Sequence, residues 1–366
     1  MKVTRITIIG LGLMGGSLAK ALHEKLGLGG IIAVDNDADA LSLALKEGII
    51  AKGLNSPDSD VYDSDIIFIC TPVKQALSYM DVLAPHIRDT CIITDVCSTK
   101  EEIARHVEKM PKPPCYIGGH PMTGTEKSGY SNSFAHLFEN AYYVLSPGFT
   151  ASARAQETVK GIVEGIGAIP VFMDAGEHDR VTGGISHLPH IIAAALVNLV
   201  NEQDNGSGKM KALAAGGFKD ITRIASSSPE MWENIVLSNK GQVIELLKLF
   251  GKTLEEFLKI LKNDDSAAIY RFFSGAKIFR DSISAQATGL LQPLYRLIVD
   301  VKDEPGIIGE IATILGNNNI NIKNINVTNS REFEQGCLII ALPDTDSVNI
   351  AFDLLVNTGY KVYKNK

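Results

Sequence analysis

The sequence predicts an α/β Rossmann-like doubly wound domain, then an all-helical domain, then a C-terminal ferredoxin-like α+β domain. Three observations predict this. Residues 1–174 alternate short β-rich runs with helical stretches, the order that builds a mostly parallel sheet covered on both faces. Residues 175–290 carry apolar side chains at helical spacing with few strand-like runs between them. Residues 294–366 read β-α-β-β-α-β, the ferredoxin-like order.

In the first segment, strands are expected at 4–9, 31–35, 66–71, 91–95, 115–118, 141–146 and 169–172. Helices are expected at 15–26, 38–47, 74–83 and 152–166. In the second, 191–200 and 243–261 are strongly apolar helices, and the polar run 201–209 is the best loop. In the third, strands at 294–302, 320–327, 336–342 and 361–363 alternate with helices at 307–315 and 348–357.

Composition limits the function. The chain has 366 residues, 45% apolar and 21% charged, with a net charge of -7, so it gains no general attraction to nucleic acid. The five cysteines, Cys70, Cys91, Cys97, Cys115 and Cys337, form no CxxC pair. That argues against a disulfide scaffold or zinc site and for a reducing, cytoplasmic setting. No uninterrupted apolar run reaches the roughly 18 residues of a membrane span, so no membrane association is expected.

Gly10-Leu11-Gly12-Leu13-Met14-Gly15 fits GxGxxG directly after a strand and opens a helix. Gly10 permits the tight turn, Gly12 admits a pyrophosphate, and Gly15 allows helix–sheet packing. The amides at Leu13 and Met14 begin the helix, whose N-terminus favours phosphate. Asp35 ends the second strand, 20 residues after Gly15. A carboxylate there accepts from ribose hydroxyls and repels a 2′-phosphate, which selects NAD over NADP. Thr71 and Pro72 follow the strand IIFIC, either at the ligand crevice or as a plain strand ending.

The candidate chemistry clusters in four polar stretches. His120, between Gly119 and Pro121, is suited to take a hydroxyl proton near neutral pH, or else caps a loop. Ser98 either orients a substrate hydroxyl or caps the following helix in a box with Glu101. Arg223 suits bidentate carboxylate recognition, or else pairs with Asp220 on one helix face. His187 and His190 share a helical face. A metal there would need a third ligand from His178 or Asp179, and none is expected.

The combination GGHPMTGTE, SHLPH and GGFKDITRIA resembles the prephenate dehydrogenase family over the whole chain. The resemblance implies a helical dimerisation domain, hence a homodimer, and a C-terminal ACT module that binds an amino acid. It implies oxidative decarboxylation of prephenate to 4-hydroxyphenylpyruvate with NAD, in tyrosine biosynthesis, with L-tyrosine as effector. His120 would be the base and Ser98 would bond near it. His190 and Arg223 would contact substrate. Thr125, Glu126, Asp179, Lys219 and Trp232 would line or gate the pocket, Trp232 across a dimer interface. In the ACT-like segment, Asp303, Gly306, Ile307, Asn321 and Ile322 would hold the effector; the alternative is a pairing module without a ligand. Rival functions are an arogenate dehydrogenase and a non-catalytic amino-acid sensor that keeps a structural dinucleotide.

Overall fold

The computed structural model describes residues 3–125, 127–204, 206, 208–286, 295–302, 304–328 and 337–365. The chain divides into two compact units, Met1–Lys259 and Ile260–Lys366.

The first unit is built on eight strands: β1 (Ile6–Ile9), β2 (Ile31–Val34), β3 (Lys52–Leu54), β4 (Ile66–Ile69), β5 (Ile92–Asp95), β6 (Cys115–Pro121), β7 (Tyr142–Pro147) and β8 (Ile169–Phe172). Their order is β3-β2-β1-β4-β5-β6-β7-β8. Every neighbouring pair is parallel except β6 with β7. Strands buried on both faces read as unbroken apolar runs, and β1 (ITII) and β4 (IIFI) are buried throughout. Successive side chains point to opposite faces. Phe68 therefore joins Ile8, Leu18 and Leu22 on one side, while Ile67 and Ile69 join Met80, Leu83 and Ile103 on the other. Chain order reverses between β1 and β4, the switch point where such sheets hold ligands outside the carboxyl ends of their strands.

Two departures from the expected elements have simple causes. β3 is only three residues long, too short to show an alternation. β6 continues past Gly118 to Pro121 because β7 pairs with it antiparallel, Gly119 opposite Leu145 and His120 opposite Val144.

The sheet leads into a continuous helical run: Ala175–Thr182, a π-helical turn at Gly183–His187, then Leu188–Gln203. A Cβ on Gly183 would come within 2.9 Å of Leu246 Cδ1, so a larger residue would push the Lys240–Lys262 helix away. By length and composition alone, Ala175–Gln203 would suffice to cross a bilayer, with a mean hydropathy of 1.4 over its most apolar window. Polar residues punctuate it, so it contains no uninterrupted apolar run of that length. Helices Gly216–Thr222 and Pro229–Ser238 follow. The expected loop at 201–209 starts late, since the preceding helix runs to Gln203.

The second unit contains the helix Ser266–Gln286 and the strands β9 (Tyr295–Asp300), β10 (Asn324–Thr328), β11 (Cys337–Leu342) and β12 (Lys361–Asn365). The sheet is antiparallel, in the order β10-β11-β9-β12. Helices Ile307–Asn317 and Thr345–Asn357 complete the ferredoxin-like order. Leu297, Leu338, Ile311 and Leu355 are in its core. β10 starts at Asn324 rather than 320, because Asn319 takes a left-handed turn (φ 57°) and Ile320 and Ile322 pack inward from the connecting segment.

Candidate active site

The glycine-rich turn joins β1 to the helix Leu13–Leu26. Gly10 adopts φ +91°, and a Cβ there would sit 2.7 Å from the Cys70 carbonyl oxygen and 2.8 Å from Thr71 Cγ2. A Cβ on Gly15 would fall 1.9 Å from the Gly10 carbonyl oxygen. Both positions thus exclude any side chain, whereas Gly12 faces open space. Gly12 is the N-cap and no side chain caps the helix, so the amides around Leu13 and Met14 remain available to an anion.

Asp35 stands beside this turn. Its Oδ2 accepts from the Leu11 N–H at 2.5 Å and its Oδ1 from the Asp37 N–H at 2.8 Å. Thr71 Oγ1 is buried without a hydrogen-bond partner, and Pro72 is the N-cap of the helix Val73–Leu83. An open glycine cradle, a carboxylate at the end of β2 and an orphaned hydroxyl at the end of β4 together fit a dinucleotide.

The same sheet edge continues to His120. Cys97 Sγ donates to the Thr71 carbonyl at 3.3 Å. A Cβ on Gly119 would lie 2.3 Å from the Asp95 carbonyl oxygen, so glycine lets β6 close against β5. Beneath lies a buried polar group. Asp95 accepts from Lys100 Nζ, from Tyr116 OH at 2.7 Å and from the Cys97 N–H at 2.8 Å, and both ends of the Asp95–Lys100 ion pair are fully buried.

His120 is partly buried, and its Nδ1 lies 2.7 Å from His178 Nε2. Burial, then the neighbouring His178, Lys100 and His187, hold its pKa well below the ordinary 6.5. His178 Nδ1 in turn lies 2.7 Å from Asp179 Oδ1. Asp179 also accepts from the N–H groups of Lys100 (2.7 Å) and Glu101 (2.9 Å), the first amides of the helix Glu101–Glu108. This corrects the capping-box expectation. The N-cap position is Lys100, and the side chain that satisfies the helix end is Asp179, 78 to 79 residues away. Ser98 is half-buried and takes no part in that cap.

A second cluster adjoins the first. His187 is buried, which pushes its pKa down to about 4, and its Nδ1 lies 3.1 Å from Asn239 Nδ2. It meets Trp232 edge-on at 5.9 Å between ring centroids. Trp232 stacks on His190 of its own chain at 3.8 Å, and its indole N–H is buried without a partner. His190 Nδ1 faces the Ser186 carbonyl at 2.9 Å. Burial first lowers its pKa; the Ser186 bond opposes this, and the nearby Arg223 charge lowers it further. His190 and Arg223, both expected at the substrate, are thus near each other; His187 was not expected there, and Trp232, expected to act across a dimer interface, stacks on His190 within its own chain.

Thr125 and Lys219 are exposed, and neither makes a described contact with this cluster. Thr125 Oγ1 accepts from the Lys127 N–H instead. Glu126 and Asp303 lie outside the described residues. In the second unit, Gly306 (φ +101°) is the N-cap of the helix that begins at Ile307, without a side-chain cap. Asn321 is exposed and Ile322 packs on the sheet core, both ahead of β10. Among the described residues, no group of three or more His, Cys, Asp or Glu side chains is arranged to hold a metal ion. The sequence reading missed the contact between His120 and His178: 58 residues separate them, and no spacing rule connects a strand end to so distant a helix.

Comparison with known proteins matches three families in series. Residues 18–171 match the prephenate dehydrogenase nucleotide-binding domain, 174–275 its dimerization domain, and 295–347 the ACT domain. The prephenate dehydrogenase of Bacillus subtilis (strain 168) is 38% identical over 343 residues, 93% of this chain and 92% of that protein. The chain belongs to the prephenate dehydrogenase family. The prephenate dehydrogenase of Lactococcus lactis subsp. cremoris is another relative, 34% identical over 96% of this chain and 97% of its own length. Among solved structures of the family, the A. aeolicus prephenate dehydrogenase in complex with hydroxyphenyl propionate and NAD+ is similar, with a TM-score of 0.72 and 31% identity over 77% of this chain and 99% of that one.

Proposed function

We propose that this dehydrogenase oxidises and decarboxylates prephenate to 4-hydroxyphenylpyruvate with NAD, in tyrosine biosynthesis. The observation that carries the reading is His120: a part-buried imidazole 2.7 Å from His178, its pKa held well below 6.5 by burial, on the same sheet edge as a dinucleotide cradle. Family membership supports the substrate, and Asp35 beside the glycine turn supports NAD over NADP. The bound nicotinamide would supply a hydride acceptor. Gly10, Gly12, Leu13, Met14, Gly15, Asp35, Thr71 and Pro72 would hold the dinucleotide.

His120 accepts the proton of the ring hydroxyl as hydride leaves the same carbon. Carbon dioxide departs from the opposite carbon, and its bonding pair completes the aromatic ring. Ser98 orients the hydroxyl, while His190 and Arg223 bind the substrate, with Trp232 covering it. Thr125, Glu126 and Lys219 are assigned to the pocket rim. The test is reduction of NAD with prephenate and, in parallel, with arogenate; a kcat/KM that favours arogenate would overturn the substrate assignment. Arg223→Ala is expected to raise KM for prephenate by 10-fold or more, the scale of a lost charge-assisted pair of about 1.5–3 kcal/mol. An unchanged KM would remove Arg223 from substrate binding.

The proposed domain limits are 1–174, 175–290 and 294–366. The middle domain would pair two copies into a homodimer. Ile185 (65% exposed), Leu199 and Ile221 are large apolar side chains on its helices, and exposed apolar surface of this kind marks interfaces. None of the five cysteines is joined in a disulfide, which supports a reducing compartment such as the cytoplasm.

The ACT domain is proposed to bind L-tyrosine as a feedback inhibitor, through Gly306, Ile307, Asn321 and Ile322 together with Asp303. L-Tyrosine is expected to slow prephenate oxidation by the wild-type enzyme. Gly306→Val, which cannot hold φ +101° without strain, should relieve inhibition and leave the uninhibited rate intact. No response of the wild-type enzyme to tyrosine would reject the effector.

A further inference from the structure

We propose that His178 and Asp179 act as a positioning relay that fixes His120 in the one tautomer able to accept a proton from substrate. The inference rests on the reading of His120 as general base and deepens it.

The argument follows from which atoms can donate. Asp179 already accepts two backbone N–H groups, from Lys100 and Glu101. A carboxylate so engaged is an acceptor only, so the 2.7 Å contact with His178 Nδ1 requires the hydrogen on that nitrogen. A His178 ring that carries a single hydrogen, held on Nδ1, presents the Nε2 lone pair to His120. The 2.7 Å contact with His120 Nδ1 therefore requires the hydrogen on His120 Nδ1, which leaves the His120 Nε2 lone pair for the substrate hydroxyl. The opposite polarity would place the hydrogen on His120 Nε2 and turn the base into a donor.

The relay is also held rigid. His178 and Asp179 are both fully buried. Thr182 Oγ1 donates to the His178 carbonyl at 2.9 Å and Asn239 Nδ2 to the Asp179 carbonyl at 2.7 Å. These two bonds fix the backbone that carries the pair, and the Asp179 carboxylate cannot turn without releasing the N–H groups of Lys100 and Glu101 and its contact with His178 Nδ1. When His120 takes the substrate proton, its Nδ1–H keeps pointing at His178, and the new positive charge is drawn toward the Asp179 carboxylate. No proton passes along the chain.

The experiment is a double-mutant cycle on NAD reduction with prephenate, using His178→Ala, His178→Gln, His120→Asn and the pair His120→Asn with His178→Ala. His178→Ala should lower kcat by about 10²-fold, the lower end of what a positioned base contributes, with KM and NAD affinity unchanged. His178→Gln puts an amide oxygen near the lost Nε2 and should recover part of that loss. In the His120→Asn background, His178→Ala should cost less than about 2-fold more, because residues that act as a unit are non-additive. A wild-type kcat in His178→Ala, or the full loss repeated in the His120→Asn background, would reject the relay, the latter by showing a merely structural role. Should the alanine variant not fold, His178→Gln takes its place: a loss of kcat that is the same size with and without His120→Asn decides against the relay. Wild-type turnover in His120→Asn would instead reject the base itself, so the two failures are distinguishable.

Discussion

His120→Asn is expected to lower kcat for prephenate oxidation by about 10²- to 10⁴-fold, the range a general base supplies, with NAD affinity unchanged. Asparagine keeps a polar group of similar reach but cannot take up a proton. The residues proposed to hold the dinucleotide follow β1, β2 and β4, two or more strands from β6 in the sheet, so binding of the nucleotide reports an intact fold while turnover falls. The pH profile of the wild-type enzyme carries a second signature. The base works uncharged, and burial together with His178, Lys100 and His187 holds its pKa well below 6.5. Activity should persist as the pH drops through 6.5 and disappear only as it falls through the lowered value. Single-turnover rates measured with both enzymes from acid to neutral pH check this; a variant retaining the wild-type rate would end the assignment.

Asp95→Ala is expected to destabilise the nucleotide-binding sheet by about 3–5 kcal/mol, the cost of stripping one partner from a buried ion pair. Lys100 would be left charged at zero exposure, and the Cys97 N–H and Tyr116 hydroxyl would lose their acceptor. Tyr116→Phe removes one hydrogen bond to the same carboxylate, strands no charge, and should cost less, about 1.5–3 kcal/mol. That contrast separates the orphaned charge from general loosening of the core. Domains are stable by about 5–15 kcal/mol, so the alanine variant should show a clearly lowered unfolding midpoint. Equal midpoints for the two variants would show that the Lys100 charge is relieved some other way.

Most of the architecture was legible because apolar runs and glycine spacing are local signals. β1 and β4 announce themselves as fully buried strands, and Gly10 and Gly15 are fixed by steric demands a few residues away. The short β3 was not legible, because three residues carry no period. The site was half legible. His120, His190 and Arg223 stand out as polar groups in motifs, whereas Trp232 was indicated by resemblance alone and stacks on His190 within its own chain. What escaped was the partnership of elements distant in sequence. Ser98 and Glu101 have the spacing of a capping box, yet Asp179 takes the role because the helix Ala175–Thr182 brings a carboxylate to the amides of Lys100 and Glu101. Thr125 and Lys219 sit in polar motifs but on exposed backbone, where a motif alone does not say which way a side chain faces.

The π-helical turn at Gly183–His187 has a geometric outcome for the whole constellation. A π turn holds one residue more than an α turn, and each α-helical residue advances the azimuth by about 100°. The part of the helical run that carries His178 and the part that carries His190 are consequently phased by that surplus residue. With a regular α-helix between them, His190 would swing roughly a quarter-turn around the axis and leave the indole of Trp232. One inserted position in the winding thus sets the bearing between His178, beside His120, and His190, beside Trp232.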